Sequence, residues 1–276
     1  RFHKPFFFVN LNMFKIKTFI TLSLTTLLFL SCKKDQKIEP VVDPKTETPV
    51  SANSKTNAVF NFSALADNLP LIPNSTWYVN TNGDNYTVTR FNYYISNIKV
   101  KRDDDSVFSE VESYHVIKHL EGARSFTVSG LPEGSYNQIE FTIGVDSIRN
   151  VSGAQTGDLC PDSLMFWGWS TGYIFFKLEG QFQTLNSASG APYAMHVGGY
   201  SGKDNCLRTC TFNLSTKLSL QKNKQSKVFY DVNINKIFNN TSVIDLNSYY
   251  VIASGTQGKA LADNYKDMFT INHVEN

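Results

Sequence analysis

The stretch that decides the fold reads Met165-Phe166-Trp167-Gly168-Trp169-Ser170-Thr171-Gly172-Tyr173-Ile174-Phe175-Phe176-Lys177-Leu178-Glu179-Gly180. Trp167 and Trp169 are one residue apart, and residues i and i+2 of an extended chain share a face, so the two indoles are predicted to stand side by side. Beyond Gly172 apolar residues occupy both faces, which is typical of a buried central strand. We therefore predict one buried strand here, with the rest of the domain closed around it.

Short segments rich in aromatic and β-branched residues continue on both sides of this stretch. The chain has 21 phenylalanines and 13 tyrosines, which favour strands, and turn signals such as Asn82-Gly83 separate the segments. Only residues 234–239 and 260–268 have the pattern of helices. We predict that residues 58–276 form an all-β domain, an antiparallel β-sandwich of the immunoglobulin or jelly-roll type with one or two short helices.

The N-terminal part has the pattern of a bacterial lipoprotein signal. We expect residues 1–12 to be an upstream misread or a fragment, because Met13 precedes lysines and then an apolar run that ends before Cys32. The run is short for a transmembrane span, which needs roughly 20 residues. Residues 13–31 are therefore predicted to be a signal peptide, with Cys32 in a lipobox as the acylated residue.

The segment that follows is predicted to be a flexible tether. Residues 33–57 are polar, contain three prolines and show no hydrophobic period. Together with acylated Cys32, the tether predicts a protein anchored by lipid in the bacterial cell envelope, on the periplasmic or the surface face of the outer membrane.

Charge and motifs exclude several functions. The net charge is +2 and the basic residues are scattered, so no nucleic-acid partner is expected. The chain has no nucleophile elbow, phosphate loop or zinc-protease helix, and we expect a monomer that is not an enzyme.

Several separate phrases, in order along the domain, resemble the MbnP-like copper-binding family, which is associated with methanobactin operons. They are Tyr86–Lys99, Glu112–His115, Ile143–Asp146, Ser152–Gly157, Met165–Trp169, Gly172–Gly180 and Met195–Gly198. The resemblance runs from about Phe60 to Val274. It implies a copper-binding β-sandwich of the periplasm or cell surface.

The resemblance also implies how copper, as Cu(I) or Cu(II), is held. In characterised relatives a di-haem partner, a MauG-like peroxidase, oxidises a tryptophan to kynurenine, whose amine joins histidines at the metal. Trp167 and Trp169 match the family's Trp-x-Trp phrase, and His196 matches its His-x-Gly phrase. Methanotroph relatives have a histidine two residues after the modified tryptophan, where this chain has Trp169.

The histidines of the domain are the other candidate ligands, since imidazole suits copper. His196 is predicted to lie on a strand with Met195 on the opposite face. His115 and His273 lie in other alternating segments and are further candidates. His119 is expected to be solvated.

Three cysteines remain after Cys32, namely Cys160, Cys206 and Cys210. In an exported protein Cys206 and Cys210 could close a short loop, or either could pair with Cys160. A disulfide is favoured over a Cys-x3-Cys copper clamp.

Two alternatives to copper binding stay open. Paired exposed tryptophans would form a stacking platform, as in a surface binding or adhesion module. The chain could also keep the family's fold and have lost the metal.

Overall fold

Strands with alternating buried and exposed residues make up most of this domain. The computed structural model describes residues 55–276 except 154, 169–170 and 185–186. The strands are β1 Lys55–Ala66, β2 Leu69–Pro70, β3 Tyr78–Val79, β4 Asn85–Tyr86, β5 Arg90–Lys101, β6 Val107–Ser109, β7 Tyr114–Lys118, β8 Ser125–Pro132, β9 Gly134–Ile143, β10 Phe166–Gly168, β11 Gly172–Tyr173, β12 Phe176–Thr184, β13 Ser187–Val197, β14 Arg208–Leu220, β15 Ser226–Asn233, β16 Val251–Ile252 and β17 Phe269–Glu275.

Short helices connect some of these strands. They are α1 Ser147–Asn150, α2 Asn235–Phe238 and α3 Gly255–Tyr265. α2 and α3 lie where helices are predicted, whereas α1 is a single turn whose N-terminus is capped by the Asp146 side chain. In the described part of the chain no helix is both long and apolar enough to cross a membrane.

Apart from the separate pair β10–β11, the strands form two layers, which confirms the predicted all-β sandwich. The larger layer has the order β14-β9-β5-β12-β13-β16, with β3, β4, β6 and β7 joined to it. The smaller layer has the order β17-β15-β1-β2, and β8 also pairs with β1. Most pairs are antiparallel, but β1 with β15 and β13 with β16 are parallel.

Aromatic side chains fill the space between the layers. Phe62 of β1 stacks on Tyr230 of β15 at 4.9 Å and meets Tyr93 of β5 edge-on at 6.3 Å. Phe141 of β9 contacts Tyr230 at 5.7 Å. Because Tyr93 and Phe141 belong to the larger layer, these contacts show which of its faces points to the core.

The predicted buried central strand is present only beyond the glycine that breaks the apolar run, as β12. The chain first forms the hairpin β10–β11, and only β12 enters the larger layer. Gly172 has φ +74, and the Asn150 carboxamide occupies the space where a Cβ of residue 172 would lie. Asn150 Oδ1 also accepts a hydrogen bond from the Tyr173 amide at 2.9 Å, so the Asn150 side chain stabilises the turn.

The N-terminal boundary of the sandwich lies slightly before the predicted one. β1 begins at Lys55, within the range predicted to be tether. The predicted signal peptide, Cys32 and nearly all of the tether lie outside the described residues, so these remain predictions.

Candidate functional site

A row of polar side chains crosses three neighbouring strands of the larger layer. His196 of β13 pairs with Lys177 of β12, which pairs with Asn92 of β5. Tyr93 points to the core, so Asn92 and the rest of the row lie on the outer face. Met195 is fully buried, on the opposite face from His196 as the alternation predicts.

The Glu179 carboxylate joins this row to the next one. His196 Nε2 lies 2.7 Å from Glu179 Oε1, and Lys177 Nζ lies 3.9 Å from the same oxygen. Arg90 Nε lies 3.3 Å from the other oxygen, Oε2. One carboxylate thus faces two cations and an imidazole, all about one-third exposed or less.

Lys177 ties the preceding loop to the sheet. Its Nζ donates a hydrogen bond to the Leu164 carbonyl at 2.8 Å, one residue before Met165 and the hairpin. Burial lowers the pKa of Lys177, and the Glu179 carboxylate opposes that shift. The buried ammonium is therefore satisfied by a carbonyl on one side and a carboxylate on the other.

The hairpin places Trp167 against the end of β13. A Cβ added at Gly198 would lie 2.7 Å from Cζ3 of Trp167 and would also clash with the Tyr173 carbonyl, so the indole rests on the bare glycine backbone. Gly198 is two residues after His196. The Trp167 side chain is therefore brought next to the strand end that carries His196, and it remains 37% exposed.

The surroundings of His196 favour the form that binds metals. Burial lowers the pKa of His196, and the positive charges of Lys177 and Arg90 act in the same direction, while the hydrogen bond with Glu179 opposes them. A neutral imidazole is the metal-ligating form of histidine.

The other two predicted ligands lie elsewhere. His115 of β7 stacks on Phe126 of the smaller layer at 3.9 Å, and its Nε2 lies 2.7 Å from Glu110 Oε2. His273 is exposed on β17 of the smaller layer and stacks on Phe229 at 4.2 Å. The structure does not bring either of them to His196.

No group of three histidine, cysteine or carboxylate side chains in the described ranges is arranged to hold a metal ion. Trp169 lies outside the described residues, so its predicted place beside Trp167 stays a prediction. Of the predicted metal-site residues, Trp167 is the one that the described structure places near the strand of His196, through its packing on Gly198 two residues further along the chain.

The expectation that His119 is solvated is wrong. The side chain is 1% exposed, stacks on Phe91 at 4.8 Å and lies with Nε2 3.0 Å from the Tyr93 hydroxyl. Its Nδ1 has no hydrogen-bond partner among the residues that the structure describes. Burial lowers the pKa of His119 to about 3, so it is neutral at physiological pH.

Two of the three candidate disulfide cysteines are free thiols, which corrects the predicted pairings of Cys206 and Cys210. Cys210 lies within β14 and Cys206 lies just before it, so an extended chain separates their Cα atoms by about 13 Å, whereas a disulfide spans about 7 Å at most. Burial raises the pKa of Cys206 to about 11 and of Cys210 to about 12, which disfavours copper thiolates. Cys160 is buried.

Sequence reasoning missed the residues around His196, namely Arg90, Lys177 and Glu179. A signal was present, because Lys177 and Glu179 are charged residues at i and i+2 in an otherwise apolar strand, which marks one polar face. Arg90 carried no such signal, since its place depends on the pairing of β5 with β12.

Fold and site together define a two-layer β-sandwich with a histidine–glutamate pair on its outer face, beside a tryptophan hairpin. The fold is similar to the solved structure of MbnP from Methylosinus trichosporium, with a TM-score of 0.50 and 12% sequence identity over 74% of this chain and 82% of that one. A comparison with curated proteins found no match.

The family model described as MbnP matches residues 55–254, and this chain belongs to the MbnP family. The match covers every strand of the larger layer and ends just before α3. It confirms the resemblance found in the sequence and places the chain in a methanobactin-related, copper-associated family.

Proposed function

We propose that this chain is a lipid-anchored, extracytoplasmic copper-binding protein whose ligands are His196 and an amine made from Trp167. The observation that carries the proposal is the packing of Trp167 on Gly198, two residues from His196, whose other ring nitrogen has no hydrogen-bond partner among the described residues. Membership of a copper-associated family supports the choice of metal.

The donor set suits a cuprous ion. Cu(I) accepts imidazole and other soft ligands and does not require a closed cage of carboxylates. An indole nitrogen has no free lone pair, whereas the aromatic amine of kynurenine does. His196 and that amine would therefore supply two ligands, and His115 and His273 would supply none.

Making the amine requires an oxidant. Trp167 and two molecules of hydrogen peroxide would give N-formylkynurenine and two waters, by cleavage of the indole C2–C3 bond. Hydrolysis of the formyl group then consumes one water, releases formate and leaves the amine. We propose a di-haem peroxidase of the MauG-like type as the catalyst, and the 37% exposure of Trp167 leaves the ring accessible to such a partner.

Intact mass and retained copper test this proposal. The full chain, co-expressed with such a peroxidase, should gain about 4 Da and keep copper through dialysis. Trp167→Phe should lose both properties. Trp77→Phe is the matched control, because Trp77 contacts Gly190 at the far end of the β12–β13 hairpin, and it should keep both.

Peptide mapping of the modified protein decides between the two neighbouring tryptophans. Added mass on residue 167 would support Trp167 as the source of the ligand. Added mass on residue 169 would identify Trp169 as the source instead. An unmodified chain that also loses copper in dialysis would show that this member has kept the fold and lost the metal.

The anchor needs a separate test. Acylation of Cys32 would place the wild-type protein in the membrane fraction. Cys32→Ser should move it to the soluble envelope fraction and prevent labelling by a radioactive fatty acid. Membrane association that survives this change would contradict the lipoprotein assignment.

A second candidate function is surface binding of glycans or proteins. The exposed ring of Trp167 and the 61% exposed Leu164, three residues earlier in the chain, favour this function, because stacking platforms need accessible apolar surface. Binding to a glycan array that Trp167→Ala abolishes, in protein with an unmodified mass, would support it.

A further inference from the structure

The Glu179 carboxylate already has three partners. Its Oε1 faces both His196 Nε2 at 2.7 Å and Lys177 Nζ at 3.9 Å, and its Oε2 faces Arg90 Nε at 3.3 Å. The shortest of these contacts is the one with the histidine. Glu179 is therefore placed as the partner of the His196 ring.

This contact decides which nitrogen of His196 carries the proton. An ionised carboxylate only accepts hydrogen bonds, so the neutral ring that faces it must donate from Nε2. The remaining nitrogen, Nδ1, then holds the free lone pair. No other described residue forms a hydrogen bond with the ring, and its side chain is 29% exposed.

We infer that Glu179, held in place by Arg90 and Lys177, is a positioning residue that fixes His196 as the Nε2–H tautomer and so makes Nδ1 the atom that binds a cuprous ion. Carboxylates behind metal-bound histidines commonly fix tautomer and ring orientation in this way. The copper part of this inference rests on the proposed function, whereas the tautomer part concerns the metal-free protein and does not.

The cross-strand register brings these side chains together. Glu179 pairs with Arg90 across β12 and β5, and Lys177 pairs with His196 across β12 and β13. All four side chains therefore stand on one face of three hydrogen-bonded strands. Lys177 is also fixed by the Leu164 carbonyl.

Long-range ¹H–¹⁵N NMR of the histidine rings tests the tautomer in the metal-free full chain, with His196→Ala assigning the signals. We expect His196 to be Nε2–H in the wild type. In Glu179→Leu the Nδ1–H population should rise several-fold. Glu179→Gln, which retains an accepting oxygen, should restore most of the wild-type spectrum.

Copper affinity is measured on the same proteins after peroxidase treatment, by competition with a chromophoric Cu(I) chelator. Loss of such an outer partner typically costs 10–100-fold in metal affinity, and we expect about 10-fold or more for Glu179→Leu. Glu110→Leu is the matched control, since it removes the carboxylate of the other histidine–glutamate pair, and it should leave the affinity unchanged. Arg90→Gln removes one ion-pair partner of Glu179 but keeps the carboxylate. It therefore replaces Glu179→Leu as the test variant if Glu179→Leu unfolds.

The results separate the two proposals. A wild-type His196 that is Nδ1–H, or a Glu179→Leu protein with unchanged tautomer and affinity, overturns this inference. A wild type that shows the fixed Nε2–H tautomer but binds no copper supports the tautomer assignment and overturns the proposed function.

Discussion

Two histidine–glutamate pairs in this molecule have the same geometry and different surroundings. His115 Nε2 to Glu110 Oε2 and His196 Nε2 to Glu179 Oε1 both measure 2.7 Å. The first pair is largely buried, because His115 stacks on Phe126 of the opposite layer. Glu110 also accepts hydrogen bonds from Ser113 and Ser129. The second pair is on the outer face, with a tryptophan hairpin beside it.

The difference shows that such a pair does not define a site by itself. His115 stacks on Phe126 of β8 and Glu110 accepts the Ser129 amide of the same strand, so the pair helps to hold the two layers together. Around His196 the contacts come from one layer and from the loop above it, and one ring nitrogen stays without a partner in the described structure. Accessibility and the neighbouring indole, not the pair, distinguish the candidate site.

The strongest test of this comparison removes each imidazole in turn. His196→Ala should weaken Cu(I) binding by more than about 100-fold, because a direct ligand is lost. His115→Ala should change it less than twofold. Chelator competition on peroxidase-treated protein measures both affinities. Equal losses of Cu(I) affinity in the two variants would contradict the distinction between the two pairs.

The two substitutions should rank in the opposite order in their effect on the free energy of unfolding. His115→Ala leaves the largely buried Glu110 without one partner and opens a gap against Phe126, which we expect to cost about 2–3 kcal/mol in the free energy of unfolding. His196→Ala should cost less than about 1 kcal/mol, since that ring is more exposed. Urea unfolding of the metal-free proteins gives both values. A larger loss for His196→Ala would reverse the assignment of structural and functional roles.

The buried His119 should make a large contribution to the acid sensitivity of the fold. Its pKa is about 3 in the folded protein against 6.5 ordinarily, so the unfolded chain takes up its proton first as the pH falls. Stability from this residue is complete above pH 6.5, and about 2 kcal/mol of it is lost by pH 5. His119→Phe should remove this contribution to the pH dependence of the free energy of unfolding between pH 7 and 5.

Exposed His273 supplies the control for that measurement. His273→Ala should leave the slope between pH 7 and 5 in place, because the ring stacks on Phe229 at the surface of the smaller layer. A slope that persists in His119→Phe and disappears in His273→Ala would contradict the assignment.

The smallest loss of copper affinity is expected when Arg90, one of the two cations around Glu179, is replaced. Arg90→Gln removes a partly exposed ion pair, and such pairs contribute about 0.2–1 kcal/mol. Copper affinity should therefore fall only about threefold. Lys99→Gln, which removes a similar exposed pair with Glu140, should leave the affinity unchanged and provides the comparison.

Local patterns predicted the parts of the fold that depend on neighbours in sequence. The all-β class, helices α2 and α3, and the opposite faces of Met195 and His196 all follow from alternation and residue type within one segment. The same reasoning failed at Trp167, because a buried strand and a hairpin have similarly apolar sequences when a glycine turn divides them.

The sequence by itself determined the class of the domain, its aromatic core and the family to which it belongs, because these rest on composition and on phrases within single segments. Only the tertiary structure decided that His196 meets Glu179, that Arg90 holds that carboxylate, and that His119 is buried while Cys206 and Cys210 stay apart. The reason is physical: alternation tells which face a side chain takes, whereas its neighbours across the sheet are set by the register of strands far apart in the chain.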